Sequence, residues 1–331
     1  MQTPGLTDLQ VNGYAGIDFN DAGLTAAALD HALQAMAAAN VTTCLPTLIT
    51  AGEATLQARL HALDEAVATS RLGPAMVPGF HLEGPFLNPA SGYAGCHPPA
   101  AMVPPDPALL DRLTRTLRRP VLLLTLAPEG DNALALIAHA VASGTIVAMG
   151  HTAADLVTTG QAVRAGVALS THLGNAMPQP QPKFLNPLIA QLAQDALSAS
   201  FIADGIHIPP HALKVLLRAK TYPRCILVTD ATAAAAAPSG LYRFAGMTIE
   251  HAADGSVRVP GTTALAGSAL CLDQAVRNLV AWQIADAPTA LAMASTQPNA
   301  LLAPALARRG IAWSTAPVRW TADLRPCRSR D

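Results

Sequence analysis

Eight short runs of β-branched and large aliphatic residues, each followed by a helix-compatible stretch, constrain this chain more than any other feature. The runs are LTDLQV (6–11), TTCLPTLI (42–49), MVPGFHLE (76–83), VLLLTLA (121–127), TIVAMG (145–150), VALSTHL (167–173), SASFIAD (198–204) and CILVTD (225–230). Helices are expected near 25–39, 52–69, 106–117, 131–143, 155–165, 186–195 and 209–220, with a longer one over 268–285. In the first of these, Leu29, Leu33 and Met36 recur at three- and four-residue steps, the spacing of one buried helix face. Near-continuous apolar strands are what a parallel sheet covered on both faces requires. Eight strand–helix units match a (β/α)8 barrel of the TIM type. A doubly wound open sheet is the competing α/β arrangement, but no GxGxxG turn follows the first strand.

At 331 residues with 51% hydrophobic and 13% charged residues, the chain has the material for one large core. A net charge of −1 gives no global field for nucleic acid or an anionic membrane, so neither is expected as a partner. The apolar runs are far shorter than the ~20 residues a bilayer span needs. The opening MQTPGLTDLQ lacks the basic and apolar regions of a signal peptide. The five cysteines, Cys44, Cys96, Cys225, Cys271 and Cys327, form no CxxC pair. An odd, scattered set fits a reducing compartment, and a cytoplasmic protein is expected.

Function is read from where the polar residues fall. Gln10, Asn12, Glu83, His151, His172, Asp204 with His207, and Asp230 all stand at or just past the end of a strand. In a closed barrel these ends converge on one face, where barrel active sites are built. HLEGPF (81–86) ends the third strand with Glu83 followed by the Gly84-Pro85 turn. GHT (150–152) and STHLGNAM (170–177) place His151 and His172 on neighbouring strands. Neighbouring strands are ~4.8 Å apart, close enough for two imidazoles to share one ion. Two histidines and one carboxylate leave a position open for water, the pattern of catalytic zinc sites. Fe²⁺, Co²⁺ and Mn²⁺ accept the same donors. Asp230 in LVTDAT (227–232) then suits a general acid/base, with helix capping as the plainer alternative. A lone loop histidine such as His207 is weak evidence, and His81 only shares the strand face of Glu83. The Gly-Ser turn in LAGSALCLDQ (265–274) opens a helix whose N–H groups could hold a ligand oxygen.

Taken together, PGLTDLQVNG, HLEGPFLNP, TLAPE, GHT, THLGNAMP, ADGIH, VTDAT and LAGS stand in the order found in N-acetylglucosamine-6-phosphate deacetylases of the amidohydrolase superfamily. The chain resembles that family from residue 4 to about 304. The resemblance implies one divalent metal, most readily zinc, on Glu83, His151 and His172, with Asp230 as acid/base. It implies substrate contacts at Cys96, His97, Asn175, Ala176, His207 and the turn Leu265, Ala266 and Gly267. Lys183 aligns with the family's phosphate-binding arginine, which in the family reaches across a homodimer interface. A lysine holds phosphate as a point charge, without the guanidinium fork. Gln10 and Asn12 stand where many amidohydrolases carry His-x-His for a second metal, which resembles the single-metal branch.

The expected partner is therefore a phosphorylated N-acetyl amino sugar, N-acetyl-D-glucosamine 6-phosphate or a galactose-type isomer. The competing reading is a truncated, inactive barrel with a scaffold role. The family's small β-sandwich is expected to be largely missing or degraded. The barrel is expected to span 4–304, with an Arg-rich tail over 305–331 that lacks the alternation of closing strands.

Overall fold

The computed structural model describes residues 1–321 and 323–325. Cys327 and the last arginines of the expected tail lie outside the described residues. All eight expected strands are present: β1 (Leu6–Val11), β2 (Val41–Ile49), β3 (Phe80–Glu83), β4 (Val121–Leu126), β5 (Ile146–Met149), β6 (Val167–Ser170), β7 (Ser198–Ile202) and β8 (Cys225–Val228). They form one parallel sheet in sequential order. Strands β1, β3, β4, β5 and β8 are buried at every position, as a sheet packed on both faces demands.

The helices α1 (Ala26–Ala38), α2 (Glu53–Thr69), α3 (Pro107–Thr114), α4 (Ala133–Ala142), α5 (Leu156–Ala165), α6 (Pro187–Leu192), α7 (Pro210–Lys220) and α8 (Leu272–Ala281) follow the eight strands in turn. Several carry clear start signals. Thr25, Asp106, Asp155 and Asn186 each accept a backbone N–H of the first turn. Gly166, at φ +116°, ends α5.

The barrel closes between β1 and β8 at its C-terminal mouth rather than along a full ladder. The Asp230 N–H donates to Gln10 O (2.9 Å) and the Asn12 N–H to Ala231 O (2.7 Å). Deeper in the seam the Asp8 carboxylate accepts from Thr229 Oγ1 (2.6 Å) and Thr229 N (3.2 Å). Side chain thus replaces ladder where the twisted sheet meets itself.

Three features differ from the sequence expectation. The helix expected over 268–285 stops at Ala281, and α9 (Ala287–Ala294) and α10 (Thr296–Arg308) follow it. The Asp286 cap and the Pro that follows the Ala at the start of α9 mark the break, but Ala-rich sequence on both sides conceals it. Between β8 and α8 lies a small antiparallel sheet, β9 (Gly240–Phe244), β10 (Met247–His251) and β11 (Val257–Arg258). Its Phe244, Ile249 and Val257 pack with Ile49, Ala234 and Ala266 in a separate apolar cluster that fixes the sheet to the barrel mouth. Finally, Pro317–Arg319 of the expected tail does form a strand, paired antiparallel with Gln2–Pro4. Trp320 Nε1 donates to Thr3 Oγ1 (2.8 Å) beside it. Three residues flanked by proline are too few to show alternation in sequence.

Candidate active site

Each residue singled out at a strand end is delivered by the turn that ends its strand. Glu83 is the last residue of β3, paired in register with Ile49 of β2 and Thr125 of β4. His151, His172 and Asp230 lie two residues past β5, β6 and β8, all with left-handed backbone, at φ +52°, +30° and +49°. A non-glycine residue in that region costs of order 1–3 kcal/mol, and such residues gather at functional sites. Here the sharp reversal turns each side chain across the mouth. Neighbouring strands hold the reversals in place: Ser200 Oγ accepts from His172 N (2.8 Å), and Asp230 O accepts from Ser268 N (2.9 Å).

The side chains converge on Glu83, which is 2% exposed. Its Oε1 lies 3.0 Å from His172 Nε2 and 3.3 Å from His151 Nε2. Its Oε2 lies 3.6 Å from His97 Nε2. The rings of His151 and His172 meet edge-on with centroids 5.0 Å apart. Burial pushes the Glu83 carboxyl up, but the three imidazoles gathered around it outweigh burial and hold the group well below the usual carboxylate range. Burial, with the neighbouring His151, pushes His97 down to about 4.

Two imidazoles are anchored in the same manner. His151 Nδ1 bonds Tyr93 O (2.7 Å) and His97 Nδ1 lies 2.9 Å from Thr50 Oγ1, so both present Nε2 to the carboxylate. This is the outer support usual for metal-ligating histidines. Donor atoms of Glu83, His97 and His151 lie within 4.8 Å of one another. His151 Nε2 and His172 Nδ1 are buried without a hydrogen-bond partner among the described residues. A buried polar atom left in that condition calls for an explanation, and a cation bound beside Glu83 supplies one for His151 Nε2. One carboxylate and several imidazole nitrogens are a donor set that fits a divalent ion.

Asp230 faces this cluster from β8. Its Oδ1 accepts from Asn12 Nδ2 (2.7 Å) and Gln10 Nε2 (3.2 Å), and the same Gln10 Nε2 donates to Glu83 Oε1 (3.1 Å). Burial and the Glu83 charge push the Asp230 carboxyl above its ordinary range. Gln10 and Asn12 therefore act as amide donors to the two carboxylates. His81 stands apart: buried and pushed down to about 4, it bonds Thr47 and Thr125 inside the barrel. The plainer capping role for Asp230 is not seen, since α8 starts far downstream.

A cavity of about 730 Å³ opens over the cluster. Cys96, His97, Asn175, Ala176, His207, Leu265 and Gly267 line it, together with Asp230 and the carboxylate–imidazole group. Desolvation in this pocket pushes the Cys96 thiol well up, which disfavours the thiolate. Ala266 is fully buried behind the turn and meets the Phe244 cluster instead. Lys183 is exposed and outside the lining of its own chain's cavity, near the ring of Phe184. Sequence reasoning missed Ile49 and Phe244, which form an apolar side of the cavity. It also placed His97 on substrate without foreseeing its contact with Glu83. No periodicity in the Gly- and Pro-rich loop over 84–105 marks the His97 contact, because it depends on how that loop folds back.

A closed parallel barrel with a carboxylate–imidazole cluster at its C-terminal mouth is the architecture of an amidohydrolase. The comparisons carry this further: the chain belongs to the N-acetylglucosamine-6-phosphate deacetylase family of amidohydrolases. It is 33% identical over 278 residues to N-acetylglucosamine-6-phosphate deacetylase of Bacillus subtilis, covering 83% of this chain and 69% of the relative. It is also 33% identical over 300 residues to N-acetylgalactosamine-6-phosphate deacetylase of Escherichia coli O157:H7, covering 90% and 77%. Its fold matches a mutant N-acetyl-D-glucosamine-6-phosphate deacetylase of Mycobacterium smegmatis, in complex with N-acetyl-D-glucosamine-6-phosphate, at a TM-score of 0.86 and 30% identity. That match covers 98% of this chain and 84% of the other. A scan against protein-family models finds no match. Among the described residues, no helix is long and apolar enough to cross a membrane.

Proposed function

We propose that this chain hydrolyses the acetyl amide of N-acetyl-D-glucosamine 6-phosphate, giving D-glucosamine 6-phosphate and acetate. The observation that carries the reading is the meeting of Glu83 with His151 and His172 on one oxygen, opposite a separate carboxylate, Asp230. Glu83, His151 and His172 would hold one divalent ion, zinc first among the candidates, and His97 would stand at the other oxygen of Glu83. A bound divalent cation supplies Lewis acidity, which makes water a competent nucleophile near neutral pH and polarises a carbonyl oxygen.

The protein's own groups do the rest. Asp230 takes a proton from water as its oxygen attacks the amide carbon, then delivers that proton to the nitrogen as the C–N bond breaks. Gln10 and Asn12 hold Asp230 in line by donating to Oδ1. His207 steadies the carbonyl oxygen or a hydroxyl of the sugar. Cys96, His97, Asn175, Ala176 and the turn Leu265–Gly267 hold the sugar.

Lys183 would meet the phosphate of a substrate bound in a partner subunit, making the protein a homodimer. Supporting this, Phe184 and Leu185 beside it are 71% and 86% exposed, an apolar pair suited to burial against a second copy. A cytoplasmic location accords with a phosphorylated substrate, which does not cross membranes unaided.

A second reading has the galactose-type isomer as substrate, and equal identity to the Escherichia coli relative favours keeping it. Acetate release from each 6-phosphate sugar by the purified protein decides between them. The proposal predicts a higher kcat/KM on the glucose-type sugar; a reversed preference selects the isomer, and no release from either defeats both.

A further inference from the structure

Beside the cluster, two residues past β7, stands Asp204, a carboxylate to which the reaction above gives no role. Asp204 and His207 pair across a turn, with Asp204 Oδ2 2.6 Å from His207 Nδ1. The other oxygen, Oδ1, accepts the backbone N–H groups of Ile206 (2.8 Å) and His207 (2.9 Å). Both side chains are nearly buried, 9% exposed for Asp204 and 7% for His207. Gly205 sits between them at φ +79°, which a side chain would strain. The carboxylate thus grips the ring and the turn that carries it. With Nδ1 taken, Nε2 is the ring nitrogen left for the cavity that His207 lines.

We propose that Asp204 is a positioning residue for the reaction. Its carboxylate fixes the His207 ring and the turn that carries it, so that Nε2 meets the substrate at one place in the cavity. This rests on the deacetylase reading above and adds to it the group that orients His207. Burial pushes the Asp204 carboxyl up, but hydrogen bonds from His207 and the two backbone N–H groups outweigh it, so the carboxyl stays ionised.

The test is a double-mutant cycle on the full-length, metal-loaded enzyme. Asp204→Asn keeps an oxygen for the two backbone donors and puts an amide NH2 where Oδ2 meets His207 Nδ1, removing both the charge and the acceptor that hold the ring. The expected outcome is a kcat about 10- to 100-fold lower with KM within twofold. His207→Gln is expected to lose ~10²-fold or more. Adding Asp204→Asn to His207→Gln is expected to cost less than twofold, since nothing remains for the carboxylate to position. Losses that multiply in the double variant, or an Asp204→Asn enzyme whose kcat matches the wild type, would overturn the proposal while leaving the deacetylase reading intact. A wild-type enzyme that releases acetate from neither sugar overturns that reading, and the proposal falls with it.

Discussion

Asn12 donates to Asp230: Nδ2 lies 2.7 Å from Oδ1, across the seam where the first and last barrel strands meet. The backbones beside them are joined too, with Asn12 N donating to Ala231 O and Asp230 N to Gln10 O. Barrel closure and the placing of the proposed acid/base are therefore one structural event. Asn12→Ala is expected to lower kcat by about 10- to 100-fold while metal content stays at the wild-type level. Steady-state kinetics with metal analysis checks this, and an unchanged kcat would remove Asn12 from the machinery.

Asp230→Asn keeps the shape of the side chain and its place beside Asn12 but cannot carry a proton. It is expected to bind metal as the wild type does and to lose ~10²- to 10⁴-fold in turnover, the range for removing a general acid/base. Retained turnover would sink the assignment.

Gly267 stands against the backbone of Asp230. A Cβ there would lie 2.8 Å from Asp230 O and 2.6 Å from Thr232 Cγ2, at a φ of +66°. The carbonyl cannot yield without moving Asp230. Gly267→Ala is expected to cost about 1–2 kcal/mol in stability for its left-handed backbone and to lower kcat roughly tenfold beyond that. Thermal unfolding read beside kinetics separates the two, and full activity in a slightly less stable protein would show that the turn adapts.

Much of this was legible before any coordinates. The eight strands announced themselves because buried parallel strands are apolar at almost every position, which few other elements are. Glu83, His151, His172 and Asp230 stood out because polar residues closing such strands have few structural uses. What stayed hidden depends on contacts distant in sequence. β9 is mostly exposed, with only Phe244 fully buried, so its pattern looks like loop. The approach of His97 to Glu83 follows from the fold of a loop with no periodicity. Asp8 was quoted within the first strand, yet nothing local showed that Thr229, 221 residues away, would receive it.

That pair gives a stability prediction. Burial raises the Asp8 carboxyl to about 7, above the ordinary 3.8, despite hydrogen bonds from Thr229. Between pH 4 and 7 the folded chain thus binds more protons than the unfolded chain, so this group makes stability fall as pH rises, with no further change above. Asp8→Asn is expected to remove that slope. Urea unfolding at pH 5 and pH 8 should show the variant gaining on the wild type by on the order of 2 kcal/mol at the higher pH. A difference independent of pH would mean Asp8 is ionised throughout.

The central claim, one metal ion held by Glu83, His151 and His172 and used with Asp230, is tested most directly by titrating chelator-stripped protein with Zn²⁺ while measuring acetate release from N-acetyl-D-glucosamine 6-phosphate. Activity is predicted to be absent without metal, to rise in proportion to bound zinc and to level off at one ion per chain, with Glu83→Gln binding none. Full acetate release from metal-free protein, or a plateau only at two ions per chain, would contradict the account.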